Sequence, residues 1–272
     1  MDGKEKNFSV TEKITSRKNP GVISACALSD KKNRDKSGLF ATEGIKLLRE
    51  LLDEKVEIEK VFCTSRALEK YADTLCTLSC RIYEVTDEVY DKLSSEKNPE
   101  GIFAVAKKTK VYSKASETPG SGGFVMLDRV QNPSNVGTVI RTASALGVSR
   151  ILLGEGCADV FGPKTVRAAM GTLFKVNICI TDDICREIEE IQKSGAEVFA
   201  AALDENSEDV AKVAFSQDDC LLIGNEGEGI SEKALALCKR KIIIPMRQNT
   251  ESLNAAAAAA ILIWEKQKGA II

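Results

Sequence analysis

The sequence predicts an α/β protein whose larger, carboxyl-terminal part is a parallel sheet covered by helices. Short β-rich runs alternate with helical segments from residue 124 onward. These runs are apolar throughout, which is typical of strands that are buried on both faces of a sheet. In such sheets ligands bind at the carboxyl ends of the strands. The loops that follow the strands are therefore where we expect functional residues.

The elements of this region are recognised by composition and period. Its strand runs cover residues 124–130, 150–155, 174–181, 197–203, 219–226 and 241–246. Its helical segments cover residues 135–147, 163–171, 183–195, 231–239 and 252–269. The last segment contains an uninterrupted alanine run, and alanine is the strongest helix former. The alternation predicts one sheet with helical crossovers.

The amino-terminal region predicts a smaller α/β unit. Its strand runs cover residues 56–64, 81–85 and 101–108, separated by helical patterns over 44–54 and 66–76. We expect residues 1–37 to be a partly helical extension. Residues 1–36 hold nine basic and five acidic side chains. Taken alone, this surplus favours a solvated surface over an arm that meets phosphates.

A stretch rich in Pro, Gly and Ser separates the two regions and predicts a flexible connector. The chain then divides into three parts. Residues 1–111 are the basic extension and the small α/β unit, residues 112–123 are the connector, and residues 124–272 are the parallel-sheet domain.

The composition excludes several kinds of chemistry. The 272 residues include no histidine, which removes His-based triads, His general bases and Cys/His zinc sites. The nine cysteines form no CxxC pair, so we expect no metal and predict reduced, mostly buried thiols in a cytoplasmic protein. The chemistry must then use carboxylates, Arg, Lys, hydroxyls, amides or a bound cofactor.

The first strand-end loop leads into the helix over 135–147. Asn132 and Pro133 favour a turn, and we expect Asn135 to cap the helix. Arg141 falls off the apolar face of this helix, so it either projects toward the crevice or forms a surface ion pair. For a single arginine the ion pair is the more frequent outcome.

Two further strand-end loops are polar. Gly224, Gly227 and Gly229 allow a close approach of the backbone to a ligand, but they do not form a dinucleotide fingerprint. Glu226 in this loop is a ligand contact or a solvated turn residue. In the third loop, we expect Ser252 or Asn254 to open the last helix. The three loops together predict a binding site.

As a set, these loops resemble the three motifs of the SpoU–TrmH family of RNA ribose 2′-O-methyltransferases, within the SPOUT class. The first motif is matched by Asn135-Val-Gly137 with Arg141, and the second by Gly224-Asn-Glu226-Gly227 with Gly229. The third is matched by Ile244-Pro245-Met246 followed by Ser252-Leu253-Asn254. The similarity covers about residues 124–268. Residues 14–20, 38–44 and 98–105 resemble the family's substrate-binding domain and its lead-in. This resemblance favours the interpretation in which the amino-terminal basic charge contacts RNA.

The resemblance implies a parallel sheet with a carboxyl-terminal trefoil knot, although knots are otherwise rare. It also implies that S-adenosylmethionine is the cofactor, with Gly224, Ile244 and Leu253 lining its pocket. Family members are homodimers that pack through the knotted domains, so we expect a homodimer with RNA as its partner.

The residues that the resemblance supplies for catalysis are Arg141, Asn135, Glu226, Ser252 and Asn254. A ribose 2′-OH must lose its proton as it attacks, and a free guanidinium, with a pKa above ~12, is a poor base. We therefore expect Arg141 to stabilise the developing alkoxide and the adjacent phosphate. Two alternatives stay open, namely Arg141 as the base and proton uptake by the phosphate. Asn135, Ser252 and Asn254 would orient Arg141 and the ribose, and Glu226 would fix Arg141 or the nucleotide.

Ribosomal RNA is the favoured substrate, because the amino-terminal domain resembles that of rRNA-modifying members. The alternatives are a tRNA 2′-O-methyltransferase, a non-catalytic RNA-binding knot protein and an ordinary nucleotide-binding α/β enzyme. The matched site residues oppose the non-catalytic alternative, and the missing glycine fingerprint opposes the ordinary nucleotide-binding enzyme.

Overall fold

The computed structural model describes residues 8–247 and 252–271 in two compact units. Unit 1 comprises the described residues up to Thr109 together with Phe161–Phe174. Unit 2 comprises Lys110–Val160 and the described residues from Lys175 onward. The chain thus leaves unit 1, returns to it for one short segment, and then completes unit 2.

Unit 1 contains a five-stranded mixed sheet with the order β1-β4-β3-β5-β2. The strands are β1 (Val10–Ile14), β2 (Leu39–Glu43), β3 (Ile58–Thr64), β4 (Arg81–Val85) and β5 (Ile102–Lys107). β4 runs parallel to β1 and β3, whereas β5 runs antiparallel to β2 and β3. The helices are α1 (Pro20–Cys26), α2 (Lys31–Ser37), α3 (Ile45–Asp53), α4 (Ser65–Lys70), α5 (Ala72–Leu75), α6 (Asp87–Leu93) and α8 (Pro163–Ala169). The small α/β unit predicted from the sequence is confirmed.

The expectation of an extension over residues 1–37 is wrong for its described part. β1 is an edge strand of the sheet, and α1 begins at Pro20, where the Asn19 side chain accepts a hydrogen bond from Gly21 N at 2.8 Å. Val22 of α1 is fully buried. β1 escaped recognition because only Ile14 of its five residues is buried, so the strand carries no apolar pattern.

The segment Phe161–Phe174 belongs to unit 1 although it lies within the parallel-sheet region of the sequence. The rings of Phe161 and Phe174 lie 5.4 and 5.7 Å from the ring of Phe40 on β2. Arg167 donates to Ser95 Oγ at 2.9 Å and forms an ion pair with Glu96. Aromatic packing and these polar contacts attach the segment to the amino-terminal sheet.

Unit 2 contains an eight-stranded sheet with the order β11-β13-β10-β12-β7-β8-β9-β6. Its strands are β6 (Val111–Tyr112), β7 (Val125–Leu127), β8 (Arg150–Leu153), β9 (Asn177–Ile180), β10 (Val198–Ala201), β11 (Glu208–Asp209), β12 (Cys220–Ile223) and β13 (Arg240–Ile243). All pairs are parallel, as predicted. The helices are α7 (Pro133–Ala145), α9 (Ile184–Lys193), α10 (Glu232–Leu237) and α11 (Ala255–Ile271). β7 and β12 are buried at every position, so both of their faces are covered.

The stretch predicted as a flexible connector, residues 112–123, is partly built into unit 2. Tyr112 belongs to β6, which pairs with β9. A 3₁₀ helix follows at Ala115–Glu117, and Ala115 N donates to the buried Glu187 carboxylate at 2.8 Å. Backbone pairing and this carboxylate order a segment whose composition suggested mobility.

Two further properties concern the described residues alone. None of their helices is long and apolar enough to cross a membrane. All nine cysteines are free thiols, as predicted, but only four of them are buried, so the expectation of mostly buried thiols is wrong. The trefoil knot implied by the resemblance stays a prediction.

Candidate active site at the strand ends of unit 2

The first loop connects β7 to α7. Asn132 is the N-cap, because its side chain accepts a hydrogen bond from Ser134 N at 2.9 Å and Pro133 occupies the first helical position. The expectation that Asn135 caps the helix is therefore wrong. Asn135 lies inside the first turn and is only 6% exposed. Its amide is thus free to bond outside the helix.

The second loop follows β12 and is closed by its own hydrogen bonds. Asn225 and Gly229 exchange backbone hydrogen bonds of 3.0 Å, and Asn225 Oδ1 accepts from Gly227 N at 2.8 Å. A Cβ on Gly224 would lie 2.2 Å from the carbonyl carbon of Gly229. Only glycine at position 224 therefore permits this loop closure.

The third loop leads into α11. Asn254 Oδ1 accepts a hydrogen bond from Ala256 N at 2.9 Å, so Asn254 opens the helix, one of the two residues predicted for this role. Residues 248–251, which precede Ser252 in this loop, lie outside the described part of the chain.

A chain of hydrogen bonds joins the three loops. Asn254 Nδ2 donates to Asn135 Oδ1 at 3.1 Å, and Asn135 Nδ2 donates to Glu226 Oε1. The buried Asn135 amide thereby uses both its donor and its acceptor, as buried polar groups require. Asn135 thus fixes Glu226. This contact was not expected from the sequence, where Glu226 was a ligand contact, a solvated turn residue or a residue that fixes Arg141 or the nucleotide.

The structure does not connect the other two predicted catalytic residues to this network. Arg141 is exposed on α7, and within residues 8–247 and 252–271 it forms no ion pair or side-chain hydrogen bond. Ser252 is exposed as well, and it lines the cavity beside the network. Arg141 is therefore available for a partner that approaches from solvent.

A cavity of about 400 Å³ lies beside the network, at the carboxyl ends of β10, β12 and β13. Its size is within the range of about 300–1,000 Å³ that small-molecule sites occupy. Gly224, Ile244 and Leu253, the three residues predicted to bind the cofactor, all line it. So do Glu226 and Ser252. One side of the network thus borders a pocket that is partly open to solvent.

The lining of this cavity suits a ligand with an apolar ring and several polar groups. Ile223, Ile230 and Leu262 supply buried apolar surface. Glu226 and Ser252 supply polar side chains to the same lining. These are the properties that S-adenosylmethionine requires, since it joins an adenine ring to a ribose and an amino acid. The cavity therefore fits the cofactor implied by the resemblance.

The described lining of the cavity contains no thiol, and the thiol of Cys157, which follows β8, is poorly suited to chemistry. Burial raises the pKa of the Cys157 thiol, which donates to Leu127 O at 3.3 Å, to about 11. A thiol with such a pKa is protonated at neutral pH and is a poor nucleophile. Among the described residues, no group of Cys, Asp and Glu side chains could hold a metal ion.

Sequence reasoning missed two residues that contact the second loop. Asp128 is only 2% exposed and accepts a hydrogen bond from Ser231 N at 2.6 Å. Arg129 has a left-handed φ of 54° and donates to Glu228 Oε2 at 2.6 Å. The sequence signal that could have identified them is their position directly after the buried strand β7.

Two family models match the chain. The model described as SpoU rRNA Methylase family matches residues 123–264. The model described as MRM3-like substrate binding domain matches residues 19–104. The two matches cover the regions in which the sequence motifs were found.

Full-length relatives agree with these matches. The 23S rRNA (guanosine(2553)-2′-O)-methyltransferase RlmP of Bacillus subtilis is 29% identical over 93% of this chain and 98% of its own. The 23S rRNA (uridine(2479)-2′-O)-methyltransferase of Streptomyces viridochromogenes is 29% identical over 93% of this chain and 91% of its own. The crystal structure of an AdoMet-bound rRNA methyltransferase from Sinorhizobium meliloti aligns with a TM-score of 0.82 and 31% identity, covering 94% of this chain and 97% of that one. The chain therefore belongs to the SpoU rRNA methylase family and is an S-adenosylmethionine-dependent RNA methyltransferase.

Proposed function

We propose that this protein methylates a ribose 2′-OH of ribosomal RNA. The observation that carries the proposal is the hydrogen-bonded chain of Asn254, Asn135 and Glu226 beside the strand-end cavity. The relatives from Bacillus subtilis and Streptomyces viridochromogenes, which match over nine-tenths of both chains, are rRNA 2′-O-methyltransferases by name. The substrate-binding match over residues 19–104 supports a structured RNA rather than a free nucleotide.

Within this proposal the cavity holds the cofactor. Bound S-adenosylmethionine supplies a methyl group that its sulfonium activates for transfer. Ile244 and Leu253 provide apolar surface, and Gly224 lets the loop after β12 close against its own strand. The cavity walls exclude water from one side of the reacting centre.

The residues of the hydrogen-bonded chain orient the substrate. Asn135 fixes the Glu226 carboxylate, and Asn254 fixes Asn135 from the start of α11. Ser252 presents a hydroxyl at the same edge of the cavity. Such preorganised groups cost no rearrangement when the ribose arrives.

Arg141 neutralises the charge that forms as the 2′-OH loses its proton. It is exposed on α7, six residues beyond Asn135. A planar guanidinium can bond the developing alkoxide and the adjacent phosphate together. Since Arg141 lines no part of the cavity, it acts on the RNA rather than on the cofactor.

We further propose that the protein is a homodimer that pairs through α7 and α11, which pack against each other. Ile261 and Trp264 of α11 are 38% and 42% exposed and lie three residues apart on the same face. Exposed apolar side chains at such a spacing are typical of an association surface. The expected cytoplasmic location accords with these proposals.

The assay that tests the function uses methyl-labelled S-adenosylmethionine with unmodified rRNA and tRNA transcripts in parallel. We expect label in the rRNA, with the modified nucleotide resistant to alkaline cleavage because its 2′-oxygen is blocked. Label in tRNA alone, or on a base instead of a ribose, would refute the proposed substrate. A 50S assembly intermediate serves as a further rRNA substrate.

Gly224→Ala is expected to weaken S-adenosylmethionine binding by at least about tenfold, because the added Cβ collides with the backbone of Gly229 and Ile230. Calorimetric titration measures the affinity. Gly269→Ala is the matched control, because a Cβ at that position of α11 has no atom within 4 Å. Equal affinity of Gly224→Ala and the wild type would contradict the assigned cofactor pocket.

Arg141→Ala is expected to lower kcat by about 100-fold, the effect of removing one donor to a developing oxyanion. The affinity for S-adenosylmethionine should stay within about twofold of the wild type, as expected of a group that binding does not use. Arg141→Lys should restore only part of the rate, since lysine cannot form two parallel hydrogen bonds. Arg186→Lys, on α9, is the control. Full activity of Arg141→Lys would exclude a bidentate role.

Trp264→Glu is expected to convert the dimer into monomers, because a charge would be buried in the association surface. Light scattering after gel filtration distinguishes 29.5 kDa from twice that mass. Ile23→Glu, at an exposed apolar residue of unit 1, is the control. A monomeric wild-type protein, or a dimeric Trp264→Glu variant, would refute the proposed interface.

A further inference from the structure

We propose that Asp128 and Arg129 are positioning residues that hold the glycine loop of the cofactor pocket. The glycine loop is defined here as residues 224–231, from the end of β12 to the residue before α10. The effect on the cofactor rests on the proposed function, in which this loop forms a wall of the pocket. The effect on the loop itself rests on the hydrogen bonds alone.

Asp128 holds the end of the glycine loop. Its Oδ2 accepts a hydrogen bond from Ser231 N at 2.6 Å, and the residue is 2% exposed. A backbone amide bonded to a buried carboxylate is a strong contact, because the acceptor is charged and solvent has little access to it. The contact joins residues 103 positions apart in the sequence, so it ties the loop directly to the strand β7.

Arg129 holds the middle of the glycine loop through two different groups. Its carbonyl oxygen accepts from Asn225 Nδ2 at 2.9 Å, and its Nη1 donates to Glu228 Oε2 at 2.6 Å. A left-handed φ is uncommon for a residue with a side chain and persists only where its surroundings hold it. At Arg129 the backbone turn accompanies contacts of both the carbonyl and the guanidinium with the same loop.

These contacts surround the residues of the loop that the site uses. Gly224 lines the cavity, and Glu226 accepts the hydrogen bond from Asn135. Glu226 lies between Asn225 and Glu228, both of which are held by Arg129. Arg129 and Asp128 do not line the cavity themselves. Their action on the cofactor must therefore pass through the loop.

The test compares Asp128→Ala with Asp219→Ala. Asp219 is a suitable control because it is also buried, at 5% exposed, and accepts backbone hydrogen bonds from Glu197 N and Ser216 N. It precedes β12 and therefore lies at the opposite end of the strand from the glycine loop. Both variants lose a buried carboxylate, and only one of them loses a contact with the loop.

Two measurements are made on each full-length variant, namely amide hydrogen exchange without cofactor and calorimetric titration with S-adenosylmethionine. For Asp128→Ala we expect exchange in residues 224–231 to accelerate by about tenfold or more, as the loop opens more often. The cofactor affinity should fall by about tenfold, because only the closed loop binds. At saturating cofactor, kcat should change far less than KM for the cofactor.

Two further variants test the contact of Asp128 and the side-chain contacts of Arg129 one at a time. Asp128→Asn keeps an oxygen acceptor for Ser231 N and should restore most of the protection. Arg129→Gly tolerates the left-handed φ and keeps the carbonyl contact, but it removes the ion pairs with Glu228 and Asp128. It should fold normally and weaken cofactor binding only about threefold, because the guanidinium is partly exposed.

Unchanged exchange of the loop in Asp128→Ala would overturn the inference, as would equal effects in Asp219→Ala. Accelerated exchange with unaltered cofactor affinity would also overturn it, because the positioning would then serve no binding. If the wild-type protein bound no S-adenosylmethionine, the proposed function would fail. In that case, accelerated exchange confined to the loop in Asp128→Ala would still show that Asp128 holds the loop.

Discussion

The candidate site depends on the burial of a single amide side chain, that of Asn135. A buried amide must find a donor and an acceptor within the protein, or its desolvation is uncompensated. Asn254 supplies the donor and Glu226 the acceptor. Because each partner follows a different strand of the sheet, satisfying one side chain brings together three loops that are distant in sequence. The network is thereby part of the fold as well as part of the site.

The parallel sheet explains why these loops can meet. Parallel strands place all their carboxyl ends at one edge, so the loops after β7, β12 and β13 meet at the same edge although β10 lies between β12 and β13. The loop after β12 is closed by its own hydrogen bonds, and it lines the cavity at this edge. Arg141 is exposed on α7 and does not line the pocket.

Unit 1 shows that domain limits in the fold do not follow the order of the sequence. Phe161–Phe174 lies within the stretch matched by the SpoU model, yet it packs its aromatic rings on Phe40 of the amino-terminal sheet. Three chain crossings, near Thr109, Val160 and Phe174, therefore connect the two units.

The sequence by itself determined the alternation of strands and helices, the parallel sheet and the three polar loops, because these follow from local composition and period. It also gave Ser252 and Asn254 as the two candidates for opening the last helix, and it singled out the glycines of the second loop. Only the tertiary structure decided that Asn132 and not Asn135 caps α7, that β1 completes a sheet, and that Asp128 and Arg129 contact the glycine loop. The physical reason is that contacts between residues distant in the sequence leave no local pattern. The hydrogen bonds of Asn135, for example, reach partners that are 91 and 119 positions away. An exposed edge strand likewise has no apolar period by which it could be recognised.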